Sequence, residues 1–228
     1  MSEQEKDNTS EWIQWFCSLK GNEFFCEVDK AWIDDAFNLI GLAASMTNYS
    51  DVLKIILDRF PTEQLDSRAR QIYFECASQL YGYIHARYIL SPEGMKKMAY
   101  KFEHYVFGYC PRHGCDRAPV LPIGVTDIPG RSSVKLYCPI CEECYEPRQS
   151  RYTKLDGCFF TTTFAPYFML VFQKRYRKML KVPKSYTPKV YGFKIHYDEE
   201  GNMFQPLKKN AKKNNAALKD ILGELNSE

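Results

Sequence analysis

The sequence predicts an α+β protein: an all-helical N-terminal domain, then a small cysteine-rich β domain, then an extended C-terminal segment. Three observations support this prediction. Apolar residues recur at helical spacing through the first hundred residues, glycine and proline become frequent from Gly108 onward, and five of the nine cysteines lie between Cys110 and Cys144. We place the parts at residues 8–105, 106–165 and 166–200, followed by a polar tail over 201–228.

Helices in the first part are predicted from apolar residues that recur every three to four positions. Ser10 can cap a first helix over residues 12–17, and Pro61 ends a second one. A longer helix ends near Leu90. Ser91-Pro92 then begins the next helix, because serine is a good N-cap and proline suits the first helical position. The apolar faces of the last three helices comprise Leu53, Ile56, Leu57 and Phe60; Tyr73, Ala77, Leu80, Ile84 and Tyr88; and Met95, Met98 and Phe102.

Short apolar stretches separated by turns follow Gly108, which is typical of strands. We predict strands at residues 120–121, 134–137 and 159–164. Residues 174–197 contain eight lysines and arginines and no acidic residue, so we expect them to be extended rather than packed. In the tail, apolar residues recur at helical spacing once more, at Leu218, Ile221, Leu222 and Leu225.

Two pairs of cysteines are spaced for metal binding. Cys110-x4-Cys115 and Cys138-x2-Cys141 are short turns, and the 22 residues between the pairs can form a hairpin that brings them together. Zn²⁺ favours four thiolates in a tetrahedron, which leaves no open position for water or substrate. The spacing therefore predicts a zinc ribbon with one structural Zn²⁺ per chain.

Cys144 competes for a place in this site, because Cys141-x2-Cys144 repeats the spacing of the second pair. We favour Cys138 and Cys141, since a proline follows Cys138 just as one follows Cys110. Cys144 is then a spare thiol beside the site. His113, inside the first turn, is expected to be exposed.

The motifs argue against an enzyme. The sequence has no nucleotide-binding glycine loop, no Walker lysine loop and no nucleophile-elbow serine. A RING-type ubiquitin ligase binds two zinc ions and needs more ligands than this stretch supplies. His85 lies in a helical run, so we interpret it as a hydrogen-bonded packing residue rather than a catalyst.

Neither a membrane nor a nucleic-acid partner is expected. No apolar run approaches the roughly 20 residues that span a bilayer, and residues 1–12 lack an apolar signal segment, so we expect a cytoplasmic and nuclear location with reduced thiols. The net charge is only +3, with 5 Lys/Arg against 11 Asp/Glu in residues 1–60 and 26 against 17 thereafter. Such a balance suits nucleic acid poorly. A zinc-ribbon nucleic-acid- or transcription-associated protein is nevertheless the alternative function.

Seven apolar residues between the cysteine pairs exceed what one small hairpin can bury. We interpret the excess as a face for a second copy of the chain, because isologous pairing covers the same patch on both copies. The seven residues are Val120, Leu121, Ile123, Val125, Ile128, Val134 and Leu136.

Six stretches, in their order and approximate spacing across residues 10–197, are similar to one known family. They are WIQWFCSLKGNEFFCEV (12–28), LYGYIHARYIL (80–90), FGYCPRHGC (107–115), LPIGVTDIPG (121–130), VKLYCPIC (134–141) and VYGFKIH (190–196). Together they resemble the regulatory (beta) subunit of casein kinase II. The resemblance implies a non-catalytic subunit of a Ser/Thr protein kinase.

The resemblance further implies a homodimer that is formed by the zinc domain. This dimer would carry two catalytic (alpha) subunits and would modulate their stability and their choice of protein substrates. By motif match, the zinc ligands would be the same four cysteines, Cys110, Cys115, Cys138 and Cys141.

Tyr191 and Phe193 resemble the kinase-docking residues of the family. We expect them to project to the same side of an extended strand, with Gly192 giving the turn room. They would then act as aromatic anchors in an apolar pocket of the kinase.

Two stretches depart from the family pattern. The dense acidic loop is diluted in residues 57–66, where Asp58, Glu63 and Asp66 are its acidic residues, so control by polyamines or basic substrates is open. The N-terminal serine cluster is reduced. Ser2, with Glu5 at the third following position, is the candidate phosphorylation site.

Overall fold

A computed structural model of the protein describes residues 11–61, 65–176 and 187–195. The chain divides into two compact units, Met1–Pro183 and Lys184–Glu228. Ser2, Ser10, Glu63 and the tail over 201–228 lie outside the described residues.

The first unit contains helices throughout its N-terminal part and a small antiparallel sheet after them, so the predicted α+β class is confirmed. Short 3₁₀ turns connect these elements. The helices are α1 (Trp12–Ser18), α2 (Lys30–Asp34), α3 (Tyr49–Ile56), α4 (Ser67–Tyr88), α5 (Pro92–Glu103), α6 (Phe164–Val171) and α7 (Gln173–Tyr176). The strands are β1 (Leu121–Ile123), β2 (Lys135–Tyr137) and β3 (Cys144–Tyr145), in the order β1-β2-β3.

Local side-chain caps mark the starts of α4 and α5. The Ser91 side chain accepts a hydrogen bond from the Gly94 N–H at 3.1 Å, and Asp66 caps α4 in the same way. The start of α1 depends instead on a distant residue, because the Trp12 N–H donates to Asp58 Oδ1 at 2.9 Å. None of the described helices is long and apolar enough to cross a membrane.

The prediction of a strand over residues 159–164 is wrong. The chain forms a 3₁₀ turn at Gly157–Phe159 and then α6, whose Phe164, Ala165 and Phe168 are buried on one face. Pro166 is tolerated because it lies in the first turn, where a backbone N–H has no partner within the helix.

Residues 174–176, predicted to be extended, belong to α7 instead. Tyr176, at the end of α7, is buried, and its ring lies 5.2 Å from that of Phe102. Its hydroxyl donates to Glu103 Oε1 at 2.9 Å. The many basic residues of 174–197 predicted exposure, but the ring of Tyr176 packs against Phe102 of α5.

Most of the apolar residues assigned to a dimer face are buried within the chain itself. Val120, Leu121, Val134 and Leu136 are at most 7% exposed, and α6 and the turn at Gly157–Phe159 pack against β1. Val125 and Ile128 remain 62% and 58% exposed. The excess over one small hairpin is therefore smaller than the sequence suggested.

The helical and β parts of the first unit share one hydrophobic core. The segment between α1 and α2 forms its centre: the ring of Phe24 stacks on Tyr152 at 4.1 Å, and Phe25 lies 5.5 Å from Phe160. Aromatic rings from both parts thus meet in one layer, so the boundary near residue 105 marks a change of secondary structure rather than a gap in packing.

Buried side chains of α4 satisfy the backbone of this central segment. The Tyr81 hydroxyl accepts from the Val28 N–H at 3.0 Å and donates to the Cys26 carbonyl at 2.9 Å. The Cys26 N–H donates to His85 Nε2 at 3.2 Å, and His85 Nδ1 donates to the Phe159 carbonyl at 3.0 Å. His85 therefore connects the helical and β parts as a neutral imidazole, which confirms its interpretation as a packing residue.

Acid should destabilise the first unit through His85. Burial lowers the pKa of this imidazole to about 3, whereas in the unfolded chain it is near 6.5. The unfolded state therefore binds more protons below pH 6.5. We expect His85 to remove up to about 1.4 kcal/mol of unfolding free energy for each pH unit between about 6.5 and about 3.

Urea unfolding between pH 7 and pH 5 measures this loss. His85→Gln should show a shallower pH dependence of the unfolding free energy than the wild type. Direct titration of the His85 ring by NMR in the wild type covers the case in which His85→Gln does not fold. An ordinary ring pKa in the folded protein would contradict the prediction.

Candidate metal centre and docking hairpin

Four sulfurs converge at one end of the small sheet. The Sγ atoms of Cys110, Cys115, Cys138 and Cys141 all lie within 4.8 Å of one another, and those of Cys110 and Cys141 are 3.8 Å apart. In a tetrahedron with zinc–sulfur distances of about 2.3 Å, neighbouring sulfurs are separated by about 3.8 Å. The donor set and its dimensions therefore fit a tetrahedral thiolate-bound ion.

Backbone hydrogen bonds shape the first cysteine turn. The Cys110 N–H donates to the Ala118 carbonyl at 2.8 Å, and the Cys115 N–H donates to the Arg112 carbonyl at 3.1 Å. Residues 116 and 117 both have positive φ, which reverses the chain directly after Cys115. The Arg112 N–H also points to Cys110 Sγ, at 3.4 Å, as suits a sulfur that carries negative charge.

The second turn closes between β2 and β3. The Glu142 N–H donates to the Cys138 carbonyl at 2.9 Å, and the Cys138 N–H donates to the Glu143 carbonyl at 3.0 Å. Burial acts to raise the pKa of Cys141, but the Tyr145 hydroxyl, 3.2 Å from its sulfur, and the Glu143 backbone outweigh burial and hold that pKa at about 7. One thiolate, the metal-binding form, is thus available near neutral pH.

The predicted four cysteines are brought together, and the competing one is left out. Cys144 is exposed on β3, opposite Tyr137, and His113 is exposed in the first turn. Three of the four clustered cysteines are buried and the fourth is half-buried. Four sulfurs complete a tetrahedral shell, so an ion held here would stabilise the fold rather than activate water.

Sequence reasoning did not identify Tyr145 as part of this site. Its hydroxyl approaches Cys141 because β3 pairs with β2 and places Leu136 opposite Tyr145. The edge strand β3 has only two residues, so no alternation of apolar and polar residues predicts its pairing with β2 from the sequence. The role of Tyr145 is therefore visible only in the structure.

The second unit contains a short hairpin, β4 (Lys189–Val190) paired with β5 (Phe193–Lys194). Tyr191 and Gly192 form its two-residue turn, with φ of 48° and 86°. Two consecutive positive φ values are what a tight type I′ hairpin turn requires. Beyond the strands, the Ile195 N–H donates to the Pro188 carbonyl at 2.9 Å.

The expectation that Tyr191 and Phe193 share one side of an extended strand is wrong, because Tyr191 is itself a turn residue. A left-handed conformation costs a residue with a Cβ atom roughly 1–2 kcal/mol. Both aromatic side chains are nevertheless highly exposed, 97% for Tyr191 and 79% for Phe193. The hairpin thus presents two exposed aromatic rings.

A sequence model described as "Casein kinase II regulatory subunit" matches residues 11–194. The chain belongs to this family. The match includes all four clustered cysteines and both strands of the hairpin, and it ends before the tail. Members of the family are regulatory subunits, so this chain is a non-catalytic kinase subunit.

Individual relatives agree with this assignment. The chain is 44% identical over 201 residues to "Casein kinase II subunit beta" of Dictyostelium discoideum, which covers 86% of this chain and 74% of that protein. It is 44% identical over 198 residues to the Schizosaccharomyces pombe protein of the same name, covering 86% and 83%. With "Casein kinase II subunit beta'" of Drosophila melanogaster it shares 44% identity over 187 residues, covering 82% and 84%.

The diluted acidic stretch over residues 57–66 uses its described carboxylates within the chain. Asp58 forms an ion pair with Lys30 at 2.9 Å and accepts from the Trp12 N–H. Asp66 caps α4. Because both carboxylates stabilise local structure, a cation that binds them would compete with contacts that the fold already makes.

Proposed function

We propose that this chain is a zinc-dependent homodimeric scaffold that docks two catalytic casein kinase II subunits, stabilises them and shapes their choice of protein substrate. The observation that carries the proposal is the hairpin at residues 189–194, whose aromatic side chains Tyr191 and Phe193 are 97% and 79% exposed. Aromatic side chains of this kind are typical anchors of protein–protein interfaces.

The four-sulfur cluster supports the zinc part of the proposal. Soft thiolates in a tetrahedral arrangement favour Zn²⁺ among the common divalent ions. Zn²⁺ would be held by Cys110, Cys115, Cys138 and Cys141 and would fix the two turns that border the sheet. Its chemistry there is structural, since all four positions are taken by protein sulfurs.

Exposed apolar groups in the β part support dimerisation. Val125 and Ile128 lie on a loop held in place by Asp127, whose carboxylate accepts from the Thr162 N–H at 2.7 Å and from its hydroxyl at 3.1 Å. Because these hydrogen bonds fix the loop, binding a partner would cost little additional conformational entropy.

Helix α6 adds to this apolar surface. Its sequence is FAPYFMLV, and Tyr167, Leu170 and Val171 are exposed. A helix that is apolar all round is normally covered on every side. A second copy of the chain would cover both the loop and this helix, as isologous pairing requires.

Light scattering of the chain mixed with a catalytic casein kinase II subunit tests the proposal. We expect the mass of a complex of two regulatory and two catalytic chains, and the mass of a dimer for the regulatory chain alone. A one-to-one complex, or no complex at micromolar concentrations, would contradict it.

Family membership leaves the nucleic-acid alternative without support, and the cytoplasmic and nuclear location stays a prediction.

A further inference from the structure

The docking hairpin has two chemically different faces. Lys189 lies opposite Lys194, and Val190 lies opposite Phe193. Successive cross-strand pairs project to opposite faces of a hairpin. One face therefore carries two lysines and the other two apolar side chains, and all four residues are exposed.

The lysine pair is unfavourable for the hairpin taken alone. Side chains directly opposite each other have Cβ atoms about 5 Å apart, and like charges at that position destabilise the pairing. A two-stranded hairpin is itself only marginally stable in water. An uncharged or acidic side chain opposite Lys189 would make the pairing of the two strands more favourable.

No compensating carboxylate is found among the residues that the structure describes. Residues 187–195 contain no acidic side chain. The ion pairs of the described chain involve other lysines and arginines, never Lys189 or Lys194. Among the described residues, the two positive charges therefore have no carboxylate partner, and they lie on the same exposed hairpin as the aromatic anchors.

We propose that Lys189 and Lys194 are specificity-determining residues of the docking surface, and that they face carboxylates of the catalytic subunit. This inference rests on the proposed function, in which the hairpin docks the kinase. The kinase site would then be a cleft with an apolar wall against Val190 and Phe193 and acidic groups along the side that faces the lysines.

The lysines would act on the rate of association more than on final affinity. Exposed charges at the edge of an interface steer the encounter of two proteins and are screened by salt. The apolar face and the turn would supply the short-range contacts. Docking should therefore be fast at low ionic strength and should slow as salt is added.

Reversing one lysine separates hairpin stability from partner recognition. Lys189→Glu converts the like-charge pair into an opposite-charge pair with Lys194, which stabilises the hairpin. If the kinase presents carboxylates, the same variant places a negative charge against them. A more stable hairpin alone would leave the association rate constant unchanged or raise it. Loss of charge complementarity with the kinase would lower it.

Stopped-flow association with the catalytic subunit measures the outcome. We expect Lys189→Glu and Lys194→Glu each to lower the association rate constant about tenfold at low ionic strength. The difference should vanish near 1 M salt, where charges are screened within about 3 Å. Lys154→Glu, at an exposed lysine of the first unit, makes the same change in net charge and should leave the rate within about twofold of wild type.

Two results would overturn the inference, and the Tyr191→Ala, Phe193→Ala double variant distinguishes them from failure of the proposed function. Lys189→Glu could associate as fast as or faster than wild type, or Lys154→Glu could slow association equally. If either result occurs while Tyr191→Ala with Phe193→Ala abolishes binding, docking by the hairpin stands and only the role of the lysines fails. If that double variant and Lys189→Glu both bind as wild type does, the docking proposal and the inference fail together.

Discussion

Replacing Cys110 and Cys115 together by serine is expected to remove the metal, destabilise the first unit severely and abolish the homodimer. A hydroxyl is a poor ligand for Zn²⁺ beside thiolates, and two sulfurs cannot hold a tetrahedral site. Structural zinc contributes about 10–16 kcal/mol of apparent binding free energy in zinc-finger peptides, as much as the whole net stability of a typical domain.

The helical and β parts share one core, so losing the metal should destabilise both parts. Val120 and Leu121 belong to the core that the helical and β parts share, so loosening the cysteine turns also weakens that core. We expect a large fall in the urea midpoint and a monomer on light scattering. Cys144→Ser, at an exposed thiol outside the cluster, should stay within about 0.5 kcal/mol of wild type. A double variant that remains a metal-bound dimer would contradict the account.

Replacing Tyr191 and Phe193 by alanine should have the second largest effect, on binding of the kinase. Truncating a central aromatic anchor commonly costs 2 kcal/mol or more, so we expect the double variant to lose roughly 4 kcal/mol, about a thousandfold in affinity. The residues lie in the second unit, so metal content and dimerisation should be unchanged.

Isothermal titration calorimetry with the catalytic subunit tests this loss. Tyr100→Ala is a matched control, because Tyr100 is 63% exposed on α5 and lies in the first unit. It should bind the kinase with wild-type affinity. Unchanged binding by the Tyr191→Ala, Phe193→Ala variant would exclude the hairpin from the docking site.

Features that depend on local sequence were predictable. Ser91-Pro92 sets the start of α5 without help from the rest of the chain, since the cap and the proline act within one turn. The cysteine spacing identified the four clustered sulfurs for a similar reason. Two short turns with a foldable connection between them restrict where the sulfurs can lie.

Features that depend on distant residues were not predictable. Residues 159–164 are rich in aromatic residues and suited to a strand, yet they form a turn and the start of α6, because β1 and α4 offer a surface for Phe164 and Phe159. The burial of Val120 follows from that packing, which the sequence of the hairpin alone does not reveal. Tyr191 adopts a turn conformation that its own residue type disfavours, because Gly192 and the pairing of β4 with β5 impose it.

Elemental analysis of the folded chain, purified from cells without added metal, tests the central claim most directly. The account predicts one zinc per chain, bound by the four sulfurs that lie within 4.8 Å of one another. A folded, dimeric chain that contains no zinc would contradict it.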